Sequence, residues 1–141
     1  MQMSPVIAVH MSAALAALAI GPVALWARQG ARPRPMLHRA FGYAWVALMV
    51  ATALTALFIR DRSLPNIGGY TPIHLLILPA VAGLVRAFRK LARRDIAGHR
   101  RAMQFVYYVA CVVTSLFTLL PQRYLGRLLW GALAPHSRRP R

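Results

Sequence analysis

The chain has 141 residues, of which 58% are hydrophobic and 14% charged, and its mean hydropathy is +0.48. A soluble domain carries about 25% charged residues, so this composition excludes an ordinary soluble enzyme and points to a membrane protein. Lys and Arg number 18 against two acids, a net charge of +16. That charge sits at the ends of apolar blocks, where anionic headgroups attract it, and with no nucleic-acid-binding motif beside it nucleic acid is excluded as a partner.

The first apolar block covers residues 5–26. It lacks the basic n-region of a signal peptide and exceeds a normal h-region, so it reads as a retained span. A stiff basic connection with Pro33 and Pro35 leads to the second block, 41–59. The next loop holds Pro65, Asn66, Gly68 and Gly69, which are turn residues. The third block, 72–85 with an extension to 88, is short and contains Pro79. It crosses a bilayer if Arg86 and Arg89 snorkel to the interface; a re-entrant or kinked helix is the alternative. A basic, helix-like connection precedes the fourth block, 102–120. About 20 helical residues cross a hydrocarbon core. The expected fold is therefore all-α: an integral membrane four-helix antiparallel bundle at 1–120, with short basic loops. An amphipathic basic tail at 121–141 is expected to lie at the interface. The lone cysteine, Cys111, falls inside the fourth block. It excludes an internal disulfide and a cysteine-built cluster and reads as a small core residue.

Orientation follows from the basic residues in the loops. The first loop carries Arg28, Arg32, Arg34 and Arg39, and the third carries Arg86, Arg89, Lys90, Arg93, Arg94, Arg100 and Arg101. These share one face, the expected cytoplasmic side of a bacterial inner membrane, with both termini outside. Arg60 and Arg62 and the tail arginines lie opposite, giving eleven basic residues inside and seven outside.

Four histidines stand near the ends of four different blocks. His10 and His74 fall toward the outer face, His38 and His99 toward the inner one. Neutral imidazoles in opposed pairs are good axial ligands for haem iron, and helices one and three, or two and four, can face each other across a bundle. Each histidine alone also reads as an interfacial residue; four of them, paired by depth, form a pattern. Arg39, Arg100 and Arg101 suit haem propionates or, equally, phospholipid. Gly21 and Gly42 permit close approach of a macrocycle or a helix, and Met103 shares the helical face of His99. Asp95 is expected to cap the fourth helix, with orientation of the His99 ring as the alternative. Asp61 reads as an exposed turn residue and His136 as a solvated one. A weak internal repeat places His38-Arg39 and His99-Arg100 in equivalent positions, each after a span and a basic loop.

His10, Gly21-Pro22, His38-Arg39-Ala40-Phe41-Gly42, His74, and the run from Arg94-Asp95-Ile96 through His99-Arg100-Arg101 to Met103 together resemble a family of small four-span bacterial membrane proteins of unknown function, over about His10 to Arg123. The histidine layout is in turn similar to the four core helices of cytochrome b-561-type proteins. That resemblance implies two haems b, with His10 and His74 as one ligand pair and His38 and His99 as the other. It further implies electron passage from a donor on one side to an acceptor on the other. The chain differs from the eukaryotic members in lacking flanking helices and in placing its inner histidines at the interface.

The leading expectation is thus a haem b electron-transfer protein, a haem-dependent oxidoreductase if it is an enzyme, with a quinone or a redox protein as partner. No catalytic base or nucleophile is evident. The alternative is an accessory or structural subunit without cofactor, held by membrane lipid, as a homodimer or in a larger complex. A transporter ranks last, because the spans lack acidic residues.

Overall fold

The computed structural model describes residues 4–29, 33–60, 67–70, 72–119 and 124–133. The expectations for Arg32, Asp61, Arg62, Pro65, Asn66, Arg123, His136 and the last five residues lie outside them. The described chain forms two helical hairpins packed side by side, with a short helix after them. In the first hairpin, α1 (Pro5–Trp26) pairs with α2 (Pro35–Phe58). In the second, a 3₁₀ turn (Pro72–Leu76) runs into α3 (Ile77–Ala92), which pairs with α4 (Ile96–Val106). A π-helical segment, Tyr107–Val113, and the short α5 (Thr114–Thr118) continue α4, and α6 (Tyr124–Leu133) follows.

Helix ends follow local chemistry. Ser4 Oγ accepts the N–H of Ile7 at 3.3 Å, and Pro5 supplies a pre-set φ at the first helical position. Pro35 does the same for α2. The helix therefore begins six residues before the apolar block at 41–59, and His38 sits inside its first turn. Hydropathy marks only the lipid-immersed part of a helix, whereas capping residues mark its true end.

The α3–α4 connection is tighter than a loop. The Arg94 N–H bonds to Leu91 O at 2.9 Å and the Asp95 N–H to Lys90 O at 2.9 Å, a Schellman closure with Arg94 at φ 59°. Asp95 then caps α4, as expected: its Oδ1 accepts the Gly98 N–H at 2.7 Å, while its Oδ2 accepts from Lys90 Nζ at 2.8 Å. The Lys90 ammonium, with the Gly98 N–H, holds the Asp95 carboxyl below its usual range. An arginine in the left-handed region costs about 1–2 kcal/mol. Arg94→Gly is therefore expected to raise unfolding free energy by ~0.5–1 kcal/mol after the added freedom of the unfolded chain, read as a higher melting temperature in detergent.

The packing is inside-out relative to a soluble bundle. The buried face of α1 is Ala13, Ala17, Gly21 and Ala24, while Val9, Leu15 and Trp26 are exposed. Likewise α3 buries Ala80, Gly83, Leu84 and Ala87 and exposes Leu78, Val81 and Val85, with Leu78 at 67%. Small residues facing neighbouring helices and large apolar ones facing outward suit a hydrocarbon surround. The shared core joins both hairpins through Ala17, Trp45, Met49, Ala80, Leu84, Val106, Tyr107 and Cys111. Cys111 is buried, as expected, and its thiol donates to Met49 Sδ at 3.5 Å.

One contact explains the Gly21-Pro22 pair. Pro22 has no N–H to give the carbonyl one turn back, that of Leu18. Tyr107 Oη donates to that carbonyl at 3.3 Å. Its ring lies so close over Gly21 that an added Cβ would stand 2.5 Å from Cε2. The proline frees an acceptor, the glycine makes room, and the tyrosine fills both needs.

Candidate functional site

The histidines at the basic end of the bundle are held alike. His38, on α2, donates from Nδ1 to the carbonyl of Ala24 on α1 at 2.7 Å. His99, on α4, donates from Nδ1 to the carbonyl of Ala87 on α3 at 2.9 Å. A carbonyl only accepts, so in the neutral ring Nδ1 carries the proton and Nε2 the lone pair. A backbone carbonyl fixing one ring nitrogen while the other stays basic is the usual arrangement around a metal-ligating histidine. Asp95, the alternative anchor for His99, is committed to capping.

Both histidines line one cavity of about 510 Å³ between the hairpins, within the ~300–1,000 Å³ of small-molecule and cofactor sites. Residues at matching positions in the two hairpins face it. Arg39 and Arg100 follow the histidines, and Gly42 and Met103 lie four residues beyond them. Leu25 and Phe88 follow the two anchoring alanines. The repeat, weak in sequence, is thus a repeat of half-sites. Val46, Leu91 and Ile96 add apolar wall and Arg28 a third cation, and the described lining holds no carboxylate. Trp45, seven residues beyond His38, forms part of the deep wall, and its buried Nε1 has no hydrogen-bond partner among the described residues. Sequence reading missed Arg28, Phe88 and Trp45. Their common signal was helical spacing from the two His-Arg pairs and their anchoring alanines, which becomes readable only once each hairpin's partner helix is in register.

His10 and His74 occupy the opposite end. Their anchors break the repeat, because both lie on α2 or at its C-terminal cap. His10 Nδ1 meets Thr52 O and Thr55 Oγ1, each at 3.1 Å. His74 donates from Nε2 to Ile59 O at 3.0 Å, with the Tyr70 ring edge-on at 5.2 Å. His10 therefore keeps Nε2 as its basic nitrogen, whereas His74 spends Nε2 on a carbonyl. The structure thus brings His38, His99, Arg39 and Arg100 to one cavity and leaves His10 and His74 as a separate pair.

Among the described residues no three His, Cys, Asp or Glu side chains converge as a metal site. Two imidazoles suffice for a metal already held by a planar macrocycle, which leaves only its two axial positions open.

No curated protein and no solved structure matches the chain. One family does, described as a predicted membrane protein, and its match over residues 7–126 takes in all four histidines and both hairpins. On that coverage the chain belongs to the predicted membrane protein family DUF2306.

Proposed function

We propose that this membrane protein binds haem b and carries electrons, with His38 and His99 as axial ligands at the basic end. One observation carries the reading: two histidines from equivalent positions of two hairpins, each anchored through Nδ1 to a backbone carbonyl, line one cavity with arginines beside them. The donor set fits the group. The Nε2 atoms supply the ligands, Arg39, Arg100 and Arg28 suit the propionates, and Leu25, Val46, Phe88 and Met103 keep the pocket dry. Bound there, haem would supply a reversible one-electron couple, tuned by its axial ligands and by exclusion of water.

Four crossings, with the basic end cytoplasmic and both termini outside, accord with the arginine-rich turns. His10 lies fourteen residues along α1 from Ala24, a rise of about 21 Å in a hydrocarbon core of about 30 Å. The two histidine levels therefore approach opposite faces. A second haem on His10 and His74 would complete a path across the membrane to a quinone or redox protein, and it requires His74 to release Ile59 O. The inner pair is therefore the better supported of the two.

The test is a reduced-minus-oxidised spectrum of the protein purified in mild detergent, with pyridine haemochrome quantification. An α-band near ~560 nm supports the reading. A colourless protein from haem-replete cells refutes it and leaves the cofactor-free accessory subunit. Gly42 gives an independent check, since a Cβ there meets nothing within 4 Å and the residue lines the cavity. Gly42→Phe starts from a Cβ that meets no neighbour and is expected to fill the pocket, abolishing haem uptake. The protein should still purify as a folded species, because replacing a helix-interior glycine gains roughly 0.5 kcal/mol. Haem content of the variant beside its circular dichroism spectrum decides the point.

A further inference from the structure

The two hairpins match at the histidine level but not at their tips. Helix α1 ends at Trp26, two residues past Ala24, whereas α3 ends at Ala92, five past Ala87. The second hairpin therefore overhangs the first by three residues, about 4.5 Å. The overhang is stiff, because the Schellman closure and the Lys90–Asp95 ion pair at 2.8 Å fix the turn from α3 into α4. Its tip bears Arg93 and Arg94, both exposed. Arg94 stands at φ 59°, where the backbone favours glycine, so the chain keeps a cation there against its conformational preference. Strain of that kind collects at functional positions. Asp95, the only acid among the described residues, is taken by Lys90 and the Gly98 N–H. The two tip arginines are left without a carboxylate of their own.

Leu91 and Ile96, 41% and 53% exposed, flank this tip and also line the cavity. Exposed apolar residues edged by two spare cations suit the surface of an acidic protein. Lipid phosphates suit these two arginines less well. Arg93 lies five residues past Phe88, the last apolar residue of the third block, a rise of about 7.5 Å. That is the outer limit of a headgroup layer about 5–8 Å deep. We propose that the α3–α4 tip docks a soluble, acidic one-electron carrier that reduces the inner haem. This rests on the haem reading and names the partner of that site. Arg28, Arg39 and Arg100, which line the cavity, suit the propionates, and Arg93 and Arg94 meet the carrier. One electron moves: the reduced carrier is oxidised, ferric haem becomes ferrous, and no bond forms or breaks.

The experiment is stopped-flow reduction of the haem-loaded full-length protein, in nanodiscs of phosphatidylcholine alone, by a photoreduced [2Fe–2S] ferredoxin of acidic surface. The α-band reports ferrous haem. The wild-type rate is expected to fall roughly tenfold between about 20 and 200 mM salt, as steered encounters do. Arg93→Gln combined with Arg94→Gly should cut the low-salt rate about fivefold and flatten its salt dependence. Arg94→Gly relieves backbone strain, so the loss does not come from unfolding. Arg93→Lys with Arg94→Lys should keep the rate, since the docking needs charge. A small neutral quinol should reduce wild type and the double variant equally; unequal reduction would trace the loss to the haem pocket and overturn the docking role. A wild-type rate insensitive to salt, or a double variant as fast as wild type, overturns it too and leaves the haem reading intact. So does a rate difference that appears only when phosphatidylglycerol is added to the nanodiscs, which assigns the arginines to anionic headgroups. A protein without an α-band overturns both.

Discussion

Replacing either His38 or His99 by alanine is expected to remove the haem signal, whereas His10→Ala leaves an α-band from the inner centre. Each inner histidine supplies half of a two-ligand site, and a low-spin bis-imidazole centre cannot survive with one ligand. The structural cost of each change is small. Either substitution deletes one bond to a backbone carbonyl, worth about 1 kcal/mol, so the variants should purify as folded proteins without colour. Imidazole added to His99→Gly should restore part of the band, because His99 is buried at 9% exposure and its removal leaves a space of its own shape at the cavity wall. A folded, haem-bearing His38→Ala and His99→Ala pair would place the ligands elsewhere. The pair at the other end would then become the leading candidate, with His74 turned away from Ile59 O. Loss of signal in all four single variants, each folded, would point instead to two centres that load only together.

The positions of the histidines near the helix ends were legible in the sequence, and the state of their rings was not. An apolar block with a histidine at its end marks a candidate ligand and its depth, and both follow from composition along the chain. Which ring nitrogen remains basic depends on a carbonyl contributed by the neighbouring helix, and no spacing rule gives that. His38 and His99 reach Ala24 and Ala87 across their own hairpins, so their equivalence is local and echoes the sequence repeat. His10 and His74 both reach α2 or its end, at Thr52 and Ile59. His74 makes that contact across the Arg60–Pro72 connection, which has no counterpart in the repeat. The helices extend beyond their apolar blocks for a related reason. Residues 35–40 and 96–101 are too polar to score as spans, yet Pro35 and Asp95 start helices there. That extra turn places His38 and His99 within the helices instead of in a loop. The π-helical segment was invisible beforehand, since its residues, Tyr107–Val113, have ordinary apolar composition. Its residues Tyr107 and Cys111 both face the shared core.

Gly21→Val is expected to cause a large loss of stability. An added Cβ would stand 2.5 Å from Tyr107 Cε2, 2.6 Å from Cδ2 and 3.0 Å from Trp45 Nε1. The ring cannot retreat without withdrawing its hydroxyl from Leu18 O, the acceptor that Pro22 leaves unpaired. Overpacking costs about 1–3 kcal/mol, and an unmet polar group in an apolar surround adds about 1–3 kcal/mol. The sum is a large fraction of a typical stability. The same movement pushes Tyr107 and Trp45 apart at the seam between the hairpins, so haem uptake should fall together with the melting temperature. A double variant separates clash from side-chain loss. Tyr107→Ala alone removes the ring and its hydrogen bond; combined with Gly21→Val, it makes room for the new methyl groups. The pair should therefore be more stable than the sum of the single effects implies, a coupling of the kind contacting residues show. Strict additivity in thermal unfolding would mean that Gly21 serves something other than the approach of Tyr107. Gly83→Ala offers a comparison inside the second hairpin. Its Cβ would collide with Val106 Cγ2, a contact between α3 and α4 that involves no hydrogen bond. That change should lower stability by overpacking alone and should show no coupling to Tyr107.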